Sequence, residues 1–248
     1  MDWKKKMQGW LARITPAEKM DHEDRAALLT SLEGSDRGDR WRAAEELGAA
    51  DPGREGLAAL SAVLSSGDPI LCWEAAHSLA RVGTPAAETA LLEAVATGSA
   101  TAQVAAIDAL GALPASPELL AALLGALASD GATVRQSAAE ALARQAAQPT
   151  VDGAPSSGPE TAAALLDLLQ SDDALLVRRA AALALGHLGD PVARDALEAS
   201  QADSHEDRLV RKAAGEAVDR LRQLEPVQET AIADSGVEQP VEEEYHNE

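Results

Sequence analysis

Phenylalanine is absent from this 248-residue chain, tyrosine occurs once, and aromatic side chains make up only 2% of it. A core with so few rings has to be thin and built from small or aliphatic groups. There is one cysteine, Cys72, which excludes an internal disulfide framework and any site needing several thiolates. Basic residues are also short: 21 Lys and Arg stand against 41 Asp and Glu, for a net charge of −20. Such a chain repels phosphate backbones, which argues against nucleic acid as a partner. No apolar run approaches the ~20 residues that span a bilayer, and no signal-peptide pattern opens the chain. These absences point to the cytoplasm.

Alanine is what the chain has in quantity, at roughly a fifth of all residues. Alanine favours helices and lets them approach closely, while period-2 alternation is missing. Self-similarity then sets the architecture. A recurring AA-x-x-L pattern aligns Leu47, Leu79, Leu110, Leu142, Leu185 and Val218, at steps of 32, 31, 32, 43 and 33. The long step holds the insertion QPTVDGAPSSGP at 148–159. Four positions earlier stand Ala43, Ala75, Ala106, Ala138, Ala181 and Ala214, and eight earlier Asp39, Leu71, Ala102, Val134, Val177 and Val210. Those spacings share one helical face. A second apolar stretch precedes each such helix, and Thr15-Pro16, Asp68-Pro69, Thr84-Pro85, Ser116-Pro117 and Asp190-Pro191 mark helix starts. Thr15 and Glu18 further fit a capping box. The unit is a helical hairpin of about 32 residues that buries its apolar stripe only against its neighbours.

The second helices, DDALLVRRAAALALGHLGDP (172–191), DGATVRQSAAEALA (130–143) and EDRLVRKAAGEAV (206–218), resemble HEAT repeats, in particular the short units of phycobilin lyases. The resemblance covers residues 21–224. It implies an all-α, right-handed α-α solenoid of about six HEAT-like hairpins, with second helices lining the concave face. It also implies that recurring arginines (Arg40, Arg135, Arg178, Arg211) and turn acids (Asp36, Asp68, Asp130, Asp173, Asp207) tie neighbouring repeats together. Cys72 and Gln103 break the arginine column in units two and three.

The two ends differ from the repeats. Residues 1–20 place Trp3, Met7, Trp10, Leu11 and Ile14 on one stripe of an amphipathic helix, beside Lys4, Lys5 and Lys6. This segment reads as a cap on the first repeat, with docking on a partner or peripheral membrane contact as the other options. Residues 225–248 carry eight acids and no Lys or Arg, the composition of a disordered acidic tail.

No constellation of residues argues for catalysis. HEDR occurs at 22–25 and 205–208, and deoxyhypusine hydroxylase, a HEAT-like enzyme, binds iron through repeated His-Glu pairs. The columns where those pairs would stand hold no histidine here, so no metal or cofactor is expected. Cys72 falls on a core-leaning column and reads as a small buried filler. His77 and His187 are isolated.

Positions −6 and −2 from the alignment leucine lie about 120° and 160° around the helix, away from the core. They hold Trp41 and Glu45, Trp73 and His77, Val104 and Asp108, and Gln136 and Glu140. Trp41 and Trp73 occupy equivalent places on helices roughly 8–10 Å apart. They are expected either to anchor a partner in the concave groove or to fill space between repeats. The leading expectation is a non-catalytic adaptor or assembly factor, with the acids favouring a basic segment on its protein partner. Two others remain: a phycobilin lyase-like subunit or chromophore chaperone, which the resemblance implies, and a membrane-surface scaffold working through the amphipathic N-terminal helix.

Overall fold

The computed structural model describes residues 20–148 and 158–224. Among them, twelve α-helices form six consecutive hairpins. The first three are α1 (His22–Glu33) with α2 (Arg37–Ala49), α3 (Gly53–Leu64) with α4 (Pro69–Val82), and α5 (Pro85–Thr97) with α6 (Ala100–Leu110). Then come α7 (Pro117–Ala126) with α8 (Ala132–Ala147) and α9 (Pro159–Ser171) with α10 (Leu175–Leu188). A 3-10 turn, Pro191–Ala193, leads into the last pair, α11 (Arg194–Ala202) with α12 (Arg208–Leu224). The expected N-terminal helix, its Thr15-Pro16 start, the body of the insertion and the acidic tail lie outside the described residues.

Local chemistry sets the helix starts. The side chains of Asp68, Thr84 and Ser116 each accept a hydrogen bond from a first-turn N–H, with proline next in the chain. Asp190 does the same for the 3-10 turn. Two second helices stop at a left-handed glycine, Gly83 with φ 63° and Gly189 with φ 73°.

Successive second helices pack on one another: α2 lies on α4, α4 on α6, α6 on α8, α8 on α10, and α10 on α12. All six column alanines, Ala43 to Ala214, are buried, as are all six residues of the leucine column. The column eight before it is buried from Leu71 onward, whereas Asp39 at its head stays exposed and pairs with Arg42 at 3.0 Å. Small residues let these backbones meet. A Cβ at Gly48 would stand 2.6 Å from the Cα of Ser78, and one at Gly186 would stand 2.7 Å from the Cα of Ala217.

The arginine column ties repeats together in part and has a second task inside the hairpin. In units one, four and five the side chain donates to carbonyls at the end of the first helix, and Arg211 makes no such bond among the described residues. Arg40 Nε reaches Leu32 O at 3.1 Å, and Arg135 Nη1 reaches Ser129 O at 2.9 Å. Arg178 Nη1 reaches Asp172 O at 2.7 Å. Cys72 and Gln103 keep that task with other groups: the thiol donates to Leu64 O at 3.0 Å and the amide to Val95 O at 2.9 Å. Cys72 is fully buried. Only Arg135 and Arg178 also tie repeats together, as forks on Asp172 (2.6 and 2.9 Å) and Glu206 (2.9 and 2.8 Å). The forks themselves close on Asp172 and Glu206; of the expected turn acids, Asp173 adds a looser ion pair of 3.5 Å to Arg135, and Asp68 takes one from Arg37 of the preceding repeat. Asp173 stands 96% exposed and Asp207 accepts from Leu209 N–H.

These forks make stability depend on acid. Burial raises the pKa of Asp172, but its hydrogen bonds from Arg135 and the Ala174 amide outweigh that and leave it below its ordinary 3.8. Arg178 holds Glu206 below its ordinary 4.5 against the opposing effect of burial. Both carboxylates thus bind protons less readily folded than unfolded. Their contribution is complete above the unfolded pKa values and disappears as pH falls through the folded ones. The stability gap between wild type and the Asp172→Asn/Glu206→Gln double variant should narrow from about pH 5 to about pH 3 in denaturant titrations. A constant gap would refute this account of the forks.

The close helix contacts give a second test. Gly48→Ala should cost on the order of 1–3 kcal/mol in urea denaturation, because Ser78 backbone cannot retreat from the added methyl. Gly125→Ala in α7, with nothing within 4 Å of the new Cβ, should instead stabilise by roughly 0.5–1 kcal/mol.

Candidate functional site

The second helices of the first three repeats enclose an open groove of about 520 Å³. Trp41 on α2 and Trp73 on α4 form its sides, with Ala80, Ala109, Ala112 and Leu113 contributing a largely apolar floor. Glu45 and His77 stand one turn beyond the two indoles, so the expected −6 and −2 positions of units one and two converge here. The two tryptophans differ in exposure. Trp41 is half-buried and packs against the core, whereas Trp73 remains 49% exposed.

His77 holds Trp73 in place. The two rings lie 4.0 Å apart between centroids at a tilt of 31°. Nδ1 of His77 is 3.0 Å from the Trp73 carbonyl oxygen, and Nε2 is 3.4 Å from Oδ2 of Asp108 on α6. Asp108 also takes an ion pair of 2.9 Å from Arg144 on α8. One carboxylate thereby links three successive second helices, and it is largely neutralised by doing so.

Four of the expected positions do not line this groove. Val104 packs partly against the core, Asp108 acts from the next helix through His77, and Gln136 donates to Glu140 at 3.0 Å. Of the expected acids, Glu45 alone keeps a carboxylate with no partner among the described residues. The acidic rim is therefore one free carboxylate rather than a continuous border.

Two residues that the −6 and −2 rule does not reach complete the floor. Glu74 is only 4% exposed, and its Oε1 accepts from Arg81 Nη2 at 2.8 Å and from the Ser78 hydroxyl at 3.2 Å. Arg81 also donates to Ser78 Oγ at 2.8 Å and to the Glu45 carbonyl at 3.4 Å, across to the preceding repeat. Glu74 had a signal in the sequence: its column otherwise reads Arg42, Ala105, Ser137, Ala180 and Ala213, with no other acid. Arg81 sits one turn past His77 on the same stripe.

Toward the other end of the solenoid, His187 lies 2.9 Å from Nη1 of Arg220. Burial, with help from the Arg220 charge, lowers the pKa of His187, so its neutral ring receives that guanidinium. Among the described residues, no group of three or more His, Cys, Asp or Glu side chains gathers around a common point, and no helix is long and apolar enough to cross a membrane.

The buried carboxylate makes the groove floor sensitive to substitution. Glu74→Ala removes the acceptor from a buried hydroxyl and a half-exposed guanidinium, and should cost about 1–3 kcal/mol in chemical denaturation. Glu74→Gln keeps one oxygen acceptor and should cost less. Equal losses in the two variants would show that the hydrogen bonds do not hold the floor.

Comparisons with known proteins agree with this architecture. The profile of HEAT repeats matches residues 25–105 and 150–219. No curated protein matches the chain in sequence. Among solved structures, an engineered protein aligns at TM-score 0.53 with 22% identity, over 82% of this chain and all of that one. A structure of microtubule polymerases with TOG-domain arrays, described for tubulin recruitment, aligns at TM-score 0.56 with 18% identity. That alignment covers 88% of this chain and 51% of the other. The CpcE–CpcF complex of phycocyanin lyase from a Nostoc species gives TM-score 0.48 with 20% identity, over 66% and 99% of the two chains. Repeat period, stacked hairpins and profile lead to one assignment: the chain belongs to the HEAT-repeat family.

Proposed function

We propose that this protein is a non-catalytic cytoplasmic scaffold that grips a protein partner in the groove between Trp41 and Trp73. The observation that carries this reading is the half-exposed Trp73, held by His77 at the edge of an apolar-floored groove. A large ring kept partly in water, in a chain with five aromatic residues, is suited to contact rather than to core filling. The TOG-domain neighbour is described for recruiting another protein, which fits the same class of role.

The partner segment we favour carries a basic side chain. Its cation would lie over the indole faces, with Glu45 close enough to receive the charge. Arg81 and Glu74 neutralise each other beneath, so they shape the floor without competing for that cation. Ser78, fully buried behind this floor, donates to Glu74 and accepts from Arg81, which fixes both charged side chains.

The double variant Trp41→Ala/Trp73→Ala tests the groove by pull-down from native lysate. Each truncation at an anchor costs about 2 kcal/mol or more, so partner recovery should fall at least about thirtyfold. Undiminished recovery by a folded double variant would reject the assignment. Glu45→Lys should weaken capture most at low salt, and no salt-dependent loss would remove the basic segment from the proposal.

A further inference from the structure

The exposed stripe that carries the two tryptophans recurs on every second helix, and in the last two repeats its chemistry changes. Position −9 from the alignment leucine lies about 180° around the helix, at the middle of that stripe. In repeats five and six it holds Leu176 and Leu209, which are 46% and 50% exposed. One turn further on, position −6 holds Arg179 and Lys212, where the other four repeats carry Trp41, Trp73, Val104 and Gln136. The two stripes are in register. Helix α10 packs on α12, and His187 at +2 meets its equivalent, Arg220, at 2.9 Å. An aliphatic rung is therefore followed by a basic rung about 5 Å along the helices.

The bases of this surface are not consumed by internal bonds. The side chains of Arg179 and of Arg208, which precedes Leu209, make no hydrogen bond or ion pair among the described residues. Lys212 meets only Glu216, at 3.5 Å with both side chains more than half exposed, a pair worth little in water. Glu216 is also the one acid at positions −9, −6, −2 and +2 of these two helices, against Arg179, Lys212 and Arg220. In a chain with 41 acids and 21 bases, this is a local reversal of charge. Neither the core nor the arginine forks use these leucines and bases.

We propose that the Leu176–Leu209 and Arg179–Lys212 rungs form a second docking surface, which takes an acidic segment of a protein partner that also carries leucine-like side chains. The apolar groups of the segment lie across Leu176 and Leu209, and its carboxylates meet Arg179 and Lys212 on one flank. Helices α10 and α12 stand roughly 8–10 Å apart, a span that one helical segment covers. Charge and shape select this occupant. A phosphate backbone would leave the leucines in water, and an anionic bilayer meets the repulsion of a chain of net charge −20. The surface is separate from the groove between Trp41 and Trp73, so either assignment can fail without the other.

The test titrates a dye-labelled synthetic peptide of alternating leucine and glutamate pairs with the full-length chain, read by fluorescence anisotropy. Binding should weaken at least about tenfold in Arg179→Glu/Lys212→Glu and at least about fivefold in Leu176→Ser/Leu209→Ser. Trp41→Ala/Trp73→Ala should leave it unchanged. Absence of binding to the wild type, or undiminished binding by either of the first two variants, would overturn the proposal. Equal binding of a control peptide with lysine in place of glutamate, or serine in place of leucine, would do the same. So would sedimentation with phosphatidylserine vesicles that Arg179→Glu/Lys212→Glu abolishes, since the surface would then serve anionic lipid. None of the four substituted side chains in the rungs belongs to the buried core, so folding does not confound the reading.

Discussion

Everything in this molecule depends on how closely the second helices approach one another. A hairpin of about 32 residues encloses too little apolar surface to stand alone, so its stability has to come from its neighbours. Alanine at the centre of every second helix, with Gly48 and Gly186 at the tightest crossings, brings adjacent backbones into contact. Dispersion and excluded water then act over a continuous thin layer rather than around a central mass. Such a layer leaves little interior room for rings. The large side chains that remain, Trp41 and Trp73 among them, stand at its edge or outside it.

The same closeness creates a polar problem that the repeats solve uniformly. Each first helix ends with unpaired carbonyls beside the next helix, and those groups need donors. The column seven before the alignment leucine supplies them in five units, through guanidinium, thiol or amide. Substituting Cys72 and Gln103 for arginine preserves this clamp. What is lost is the second half of the fork, and with it the ion pair to the next repeat. Function at this position thus separates into a hairpin clamp, which tolerates several donors, and a link between repeats, which needs the planar fork of arginine.

Much of the fold was legible before any coordinates, because period and composition pointed the same way. Six alanines in register and a repeating leucine leave few alternatives to stacked hairpins. The groove was partly legible: angular position around a helix brought Trp41, Glu45, Trp73 and His77 to one side. Partners across helices were harder to read. Nothing local reveals that Asp108 is shared by His77 and Arg144, since that depends on the offset between helices. The forks' own acids were hard to read for a similar reason, since Arg135 closes on Asp172 and reaches the neighbouring, exposed Asp173 only at 3.5 Å. Glu74 and Arg81 escaped because exposed positions were sought at −6 and −2 alone. The stripe continues one turn further, through Arg81, Arg144, His187 and Arg220.

The groove and the broken arginine column coincide. Where Cys72 and Gln103 replace the fork, repeats two, three and four lose their links on that side of the stack. Links on the groove side join repeats one to four: Arg81 to the Glu45 carbonyl, His77 to Asp108, and Arg144 to the same acid, and His187 with Arg220 joins repeats five and six, where the fork is intact. Charged and aromatic side chains that would otherwise be free to reorient are held there by structural bonds. A surface fixed in this way loses less conformational entropy on binding than one of mobile side chains. In units two and three the fork is missing from one face of the solenoid, while bonds between helices preorganise the groove on the other. The local rule is broken beside the one groove that gathers both described tryptophans, which is where a functional constraint would be expected to override repeat regularity.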